Sequence, residues 1–243
     1  MHPPVTPPVT PPGWTGPAPA GVVIDLDDTL YPQSTYLYGA SRAVGRAGAA
    51  QGLCPFRLAR AVRRQLIAGS DRDGIFDQAL FAYGVSTARA TELIPALVAA
   101  FTGYRPRRLP LYPGAADALA TISAHYPVVC LTDGTPAIQR AKLAATGLTD
   151  AFLAVVITDE LGGPAARKPH PEGLRHAAAA LGAAPSQLVM IGDRPTKDIA
   201  MAATLGARSI RVRTGEHALT PDDPPATAVV SDLTAAAALL VPA

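Results

Sequence analysis

From residue 110 onward the chain alternates between short apolar runs and segments that read as helix. Val128-Val129-Cys130-Leu131, residues 152–157, residues 188–191, Ser209–Val212 and the pair Val229-Val230 are rich in β-branched or large aliphatic side chains. Runs this short and this uniformly apolar read as strands buried on both faces of a parallel sheet. Helices are expected between them. One opens at Pro113-Gly114 and reaches about 125. A second starts at Thr135-Pro136 and stops at Gly147, and a third runs from Pro171 to Gly182. A fourth is expected over about 197–205 and a closing one over 232–240. A proline in the first turn and a glycine after the last suit helix ends.

One further strand-like run, Val22-Val23-Ile24, lies far upstream. Residues 36–103 separate it from the rest and contain no comparable run. They read as helices over roughly 36–51, 55–68, 73–83 and 88–103, with Gly52, Gly69 and Gly84 near the breaks. The expected fold is therefore α/β: a Rossmann-like parallel sheet flanked by helices, with an all-helical domain inserted after the first strand. Residues 21–33 and 109–243 would form the core, and 34–108 the insertion. Residues 1–20, with their PPVT repeat, read as an extended or disordered proline-rich tail, onto which Trp14 could fold back.

Composition narrows the class. Two cysteines exclude a disulfide framework and a four-cysteine zinc site. A net charge of +2 argues against a bulk nucleic-acid binder. No apolar run approaches the length of a membrane span, and no secretory signal pattern is visible, so a cytoplasmic protein is expected. Lysine is rare: Lys142, Lys168 and Lys197 are the only three. Arginine is abundant and concentrated in 41–108, where eleven arginines face four acids.

Open parallel sheets bind ligands beyond the carboxyl ends of their strands. The first strand here runs into Asp25-Leu26-Asp27-Asp28-Thr29, and the second into Thr132-Asp133-Gly134. The third leads to a loop holding Arg167-Lys168-Pro169. The fourth ends in Gly192-Asp193, with Asp198 five residues later. Carboxylates gathered at one edge repel unless a cation sits among them, and hard oxygen donors select Mg²⁺. Thr132 and Lys168 could then hold phosphate oxygens. Asp25 could attack phosphorus, and Asp27 could protonate the leaving oxygen and later activate water.

These four motifs, in this order, resemble those of the haloacid dehalogenase-like superfamily, and the resemblance spans residues 21–240. It implies a Rossmann-like core with a helical cap of the C1 type, and a hydrolase acting on phosphate monoesters. Asp25 would be nucleophile and metal ligand. Asp27 would be general acid and base, with its backbone carbonyl a metal ligand. Asp193 would be a direct metal ligand to Mg²⁺, with Asp198 supporting it through bound water or by positioning Lys168. Thr132, Asp133, Gly134 and Lys168 would bind phosphate, together with backbone amides near Leu26, Asp27 and Asp133.

Many relatives carry Asn where Asp133 stands, so its side chain is expected to accept a hydrogen bond from a substrate hydroxyl or an insertion residue. Tyr31, Tyr36, Tyr38, Arg42 and Arg46, where insertion meets core in sequence, are candidates for a substrate pocket; packing or a solvated role is the competing reading for each. Arg194 divides evenly between the two readings. His170 and His176 read as helix-start or surface residues, and Cys130 as a buried apolar one.

The partner is expected to be a small phosphate ester such as a nucleotide, a sugar phosphate or a specialised-metabolite phosphate, with no nucleic-acid polymer and no membrane. A phosphotransferase or sugar-phosphate mutase, and a non-catalytic regulator on the same fold, are the alternatives. Dehalogenation is disfavoured because Asp27 is present. Phosphonate cleavage is disfavoured because 36–108 contains no lysine. Oligomeric state is left open.

Overall fold

The computed structural model describes residues 17–70 and 72–241. The PPVT repeat and Trp14 lie outside the described residues. The chain divides into two compact units. One takes the chain up to Pro32 together with everything from Pro110 onward, and the other is Gln33–Leu109.

The first unit is built on a six-stranded, wholly parallel sheet: β1 (Gly21–Ile24), β2 (Val128–Thr132), β3 (Ala154–Ile157), β4 (Leu188–Gly192), β5 (Arg208–Val212) and β6 (Ala228–Val230). Their order across the sheet is β3-β2-β1-β4-β5-β6. The sequence reverses direction across β1, which pairs with β2 on one side and β4 on the other. Such a reversal opens a crevice at the carboxyl ends of the strands on either side.

The helices of this unit are α5 (Ala115–His125), α6 (Pro136–Thr146), the short α7 (Asp159–Gly162), α8 (Glu172–Leu181), α9 (Ala200–Thr204) and α10 (Leu233–Leu240). On one face of the sheet Val23, Val129, Leu131, Leu188 and Met190 pack with Leu174, Ala177, Met201 and Ala202 from the helices. Tyr126, at the end of α5, is tied to α10 by its hydroxyl, which donates to Leu240 O at 3.0 Å.

The expected architecture and strand pattern agree with the observed sheet. The segment after β4 differs. A helix expected from about 197 instead begins as a wide π-type turn over Pro195–Ile199 and becomes α-helical only in α9. The amides of Asp198 and Ile199 both reach back to Arg194 O, at 2.9 and 3.4 Å.

The second unit is four helices, α1 (Gln33–Ala49), α2 (Pro55–Ile67), α3 (Ile75–Tyr83) and α4 (Thr87–Thr102). Val44, Leu58, Val62, Leu66, Leu80, Leu93 and Leu97 form its core. Pro55 opens α2, and the Ser86 hydroxyl caps α4 by accepting from the Arg89 amide. No helix among the described residues is long and apolar enough to cross a membrane.

Candidate active site

β1 delivers Asp25 to the carboxyl edge of the sheet, where its amide donates to Ile191 O at 2.9 Å. β4 delivers Asp193, and the turn after it returns Asp198. Carboxylate oxygens of Asp25, Asp193 and Asp198 lie within 4.8 Å of one another. All three residues are buried. The approach of Asp198 depends on Gly192: a Cβ there would fall 2.3 Å from Asp198 Cγ. Arg194 contributes its backbone, its amide donating to Asp198 Oδ2 at 3.1 Å.

Lys168 closes the cluster. Its ammonium donates to Asp25 Oδ1, to Asp198 Oδ1 at 2.8 Å and to Leu131 O at 3.3 Å. Burial alone would lower the Lys168 value, but the carboxylates of Asp198 and Asp25 hold it well above the ordinary lysine range. Burial pushes the Asp25 carboxyl up to about 7; Lys168 draws it down and Asp198 pushes it further up. Burial likewise raises Asp193 well above the usual carboxylate range, and Asp198 and Asp25 add to the effect. A site that disfavours its own anions in this way is short of positive charge.

Among the buried side-chain atoms of the described residues that have no hydrogen-bond partner are Asp193 Oδ2 and Thr132 Oγ1, both at this edge. Orphaned buried polar atoms are costly, and in native sites they mark the place of a ligand. Three buried carboxylates with one orphaned oxygen fit a hard divalent cation. The Thr132 hydroxyl, at the end of β2, fits an anionic oxygen.

The β1 loop makes a left-handed turn at Asp28, with φ of 57°. Core residues distant in sequence hold it there. Tyr112 Oη donates to Asp28 Oδ1 at 3.3 Å, the Glu216 amide donates to Oδ2 at 3.1 Å, and the Thr214 hydroxyl donates to Asp28 O. Gly215 makes this possible, since a Cβ on it would lie 2.0 Å from Asp28 Cγ.

The three lysines each meet a motif carboxylate. Lys168 holds Asp25 and Asp198 as described. Lys142, in α6, reaches both oxygens of Asp27, at 2.8 and 2.7 Å. Lys197 lies 3.5 Å from Asp133 Oδ2. Lys142 and its neighbour Gln139 were not among the expected site residues. The scarcity of lysine pointed toward Lys142, and nothing in the sequence singled out Gln139.

Tyr31 is fully buried and donates to Asp27 Oδ1. The Asp133 side chain is engaged by core residues: Oδ1 accepts from the Thr158 hydroxyl and the Lys168 amide, each at 3.0 Å. Its carboxylate thus ties the ends of β2 and β3 to the Lys168 loop. Gly134, at φ 123°, lets the chain turn sharply beneath Gln139.

Of the candidates in the helical unit, Tyr36 is buried in that unit's own core, its ring 6.3 Å from Phe101 and 5.5 Å from Tyr104. Arg42 is exposed, lies over the Tyr38 ring at 5.8 Å, and lines a cleft of about 250 Å³ with Tyr38, Phe56, Arg60 and Arg63. Arg46 is exposed in the last turn of α1. Elsewhere, His170 and His176 are exposed and Cys130 is buried in β2.

A family model of haloacid dehalogenase-like hydrolases matches residues 19–206. A phosphoserine phosphatase of Thermus thermophilus is 38% identical over 161 residues, covering 66% of this chain and 60% of that protein. The chain thus spans somewhat less than two thirds of that relative's length. A glyceraldehyde 3-phosphate phosphatase of Methanopyrus kandleri is 31% identical over 202 residues, covering 81% of this chain and 84% of that one. Among solved structures, the magnesium-bound hydrolase YfnB of Bacillus subtilis shares the fold, with a TM-score of 0.68 at 17% identity, covering 92% of this chain and 99% of that one. The chain belongs to the haloacid dehalogenase-like hydrolases.

Proposed function

We propose that the protein is a Mg²⁺-dependent phosphatase that hydrolyses a small organic phosphate monoester through an aspartyl phosphate on Asp25. The observation that carries this reading is the cluster of Asp25, Asp193, Asp198 and Lys168, with the unpartnered oxygens of Asp193 and Thr132 beside it.

Asp25 and Asp193, with the backbone carbonyl of Asp27, would hold the metal. Bound there, Mg²⁺ supplies the positive charge that lets an anionic carboxylate meet an anionic phosphate. A carboxylate oxygen of Asp25 forms a bond to phosphorus as the bond from phosphorus to the ester oxygen breaks. Asp27 gives its proton to the departing oxygen. In the second half Asp27 takes a proton from water, the water oxygen bonds to phosphorus, and the acyl-phosphate bond breaks to restore Asp25. Lys168, the Thr132 hydroxyl and the backbone amides near Leu26, Asp27 and Asp133 hold the phosphoryl oxygens. Asp198 keeps Lys168 in place. Asp133 serves this pocket through its backbone, while its side chain braces the surrounding loops.

The helical unit Gln33–Leu109 acts as a cap of the C1 type, and its exposed arginines, Arg42 and Arg46 among them, are the residues through which it would select substrate. The names of the relatives point to short phosphorylated acids and aldehydes.

The test is phosphate release from a panel of phosphoserine, glyceraldehyde 3-phosphate, sugar phosphates and nucleotides, with and without Mg²⁺. The wild type should turn over at least one of them only with Mg²⁺, and Asp25→Asn should abolish it. A folded wild type that releases phosphate from no ester in the panel overturns the reading. Transfer of the phosphoryl group to a second metabolite in place of water would mark a phosphotransferase.

A further inference from the structure

Asp27 is held by more than its place after β1. Lys142 Nζ lies 2.8 Å from its Oδ1 and 2.7 Å from its Oδ2. The Tyr31 hydroxyl donates to Oδ1, and Gln139 Nε2 lies 3.3 Å from Oδ2. These four contacts match the roughly four acceptor positions a carboxylate offers. Lys142 is almost wholly buried, its side chain 4% exposed against 18% for Asp27.

Gln139 and Lys142 are three residues apart on α6 and therefore share one helix face. Gln139 Nε2 also donates to Asp133 O. Helix α6 begins just after Thr132-Asp133-Gly134, so one face of it touches both the acid and the turn expected to bind phosphate. A buried ion pair is a poor route to stability, because apolar side chains of similar volume usually do as well. What it does supply is a fixed position for a carboxylate that would otherwise rotate about χ1 and χ2.

Resting on the phosphatase reading, we propose that Lys142 is a positioning residue for the general acid: it fixes Asp27 relative to the Thr132–Gly134 turn, so that the proton is delivered to the leaving oxygen of an ester bound there. All four acceptor positions of Asp27 are filled, so one donor has to withdraw when a proton moves. Gln139, the most distant of the three donors, is the one that yields. The two-point grip of Lys142 keeps the carboxylate in register meanwhile.

The experiment compares kcat/KM, which reads the step in which the ester bond breaks, for β-glycerophosphate and 4-nitrophenyl phosphate in Mg²⁺. The first has a poor leaving group that needs a proton, and the second a good one that does not. A misplacement of about 1 Å costs about 10²-fold, so Lys142→Met should lose about 10²-fold on β-glycerophosphate and less than about threefold on 4-nitrophenyl phosphate. Lys142→Arg, which keeps a buried cation, should restore most of the loss. In an Asp27→Asn background Lys142→Met should bring no further loss.

Equal losses on the two esters, no loss on either, or a multiplicative loss on top of Asp27→Asn would overturn the proposal. Should Lys142→Met fail to fold, Lys142→Gln carries the same comparison. A wild type inactive on both esters and on the metabolite panel would instead overturn the phosphatase reading. Asp27→Asn losing equally on both esters would overturn the assignment of Asp27 as the acid.

Discussion

The Asp25 carboxylate should destabilise the metal-free protein, and removing its charge should make that protein more stable. Its folded value of about 7 stands against an ordinary 3.8, with burial the largest cause. For an acid raised in the folded state, the unfolded chain is the better host for the anion. The cost is absent below pH 4, grows between 4 and 7, and is complete above 7. The difference between 3.8 and about 7 corresponds to about 4 kcal/mol, with the attraction of Lys168 offsetting part of the burial cost.

Asp25→Asn keeps the shape and removes the charge. Urea unfolding in EDTA, followed by far-UV circular dichroism, should show the variant more stable than wild type at pH 8 by about 2–4 kcal/mol. At pH 4 the two should nearly coincide. Added Mg²⁺ should close the gap and, in large excess, reverse the order, since a ligand at about 1,000 times its Kd adds about 4.1 kcal/mol to the form that binds it. A wild type as stable as Asp25→Asn at pH 8 in EDTA, or one whose stability does not fall from pH 4 to 7, would refute the reasoning.

Two further changes test the scaffold of the site. Gly192→Ala would place a methyl group 2.3 Å from Asp198 Cγ, and overpacking of this kind costs about 1–3 kcal/mol; thermal melts should show that loss, and phosphate release should fall as Lys168 loses its second carboxylate. Arg211 is fully buried, and its guanidinium meets Asp222, His217 O, Thr220 O and Thr220 Oγ1. The three bonds to His217 and Thr220 alone are worth about 3 kcal/mol, so Arg211→Met should lower Tm. It should also loosen the 214–216 segment that holds Asp28, and so reduce Mg²⁺-dependent turnover. Desolvation raises the Asp222 carboxyl, yet bonds from Arg211 and Arg213 leave it below its usual value of 3.8. A depressed acid contributes stability above its ordinary value and loses it as pH falls through the folded one, so this contribution should vanish under acid melts in wild type and be weaker throughout in Arg211→Met.

The carboxylates at the strand ends were legible in the sequence because each follows an apolar run directly. Strand periodicity places the run, and the next residue falls at the sheet edge. The sheet itself was legible for the same reason. The contacts that refine the site were not. Asp27 and Lys142 lie 115 residues apart, and Asp28 and Glu216 lie 188 apart. No local pattern marks such pairs; only packing of α6 and of the loop after β5 brings them together. Asp133 shows the same limit: its place after β2 was plain, but its partners come from β3 and the Lys168 loop. The wide turn at Pro195–Ile199 escaped because a proline followed by helix-compatible residues reads as an ordinary helix start.

The position of β1 has one more consequence. Its amides and carbonyls bond to neighbours on both sides, and the amide of Asp25 is itself bonded to Ile191 O. To bare those groups to solvent, two strand pairings must part at once. Local fluctuations that fray β3 or β6 at the margins leave this central ladder closed. Isotope exchange at Val23 and Asp25 therefore reports whole-unit opening, and the backbone that anchors Asp25 moves only when the sheet itself comes apart.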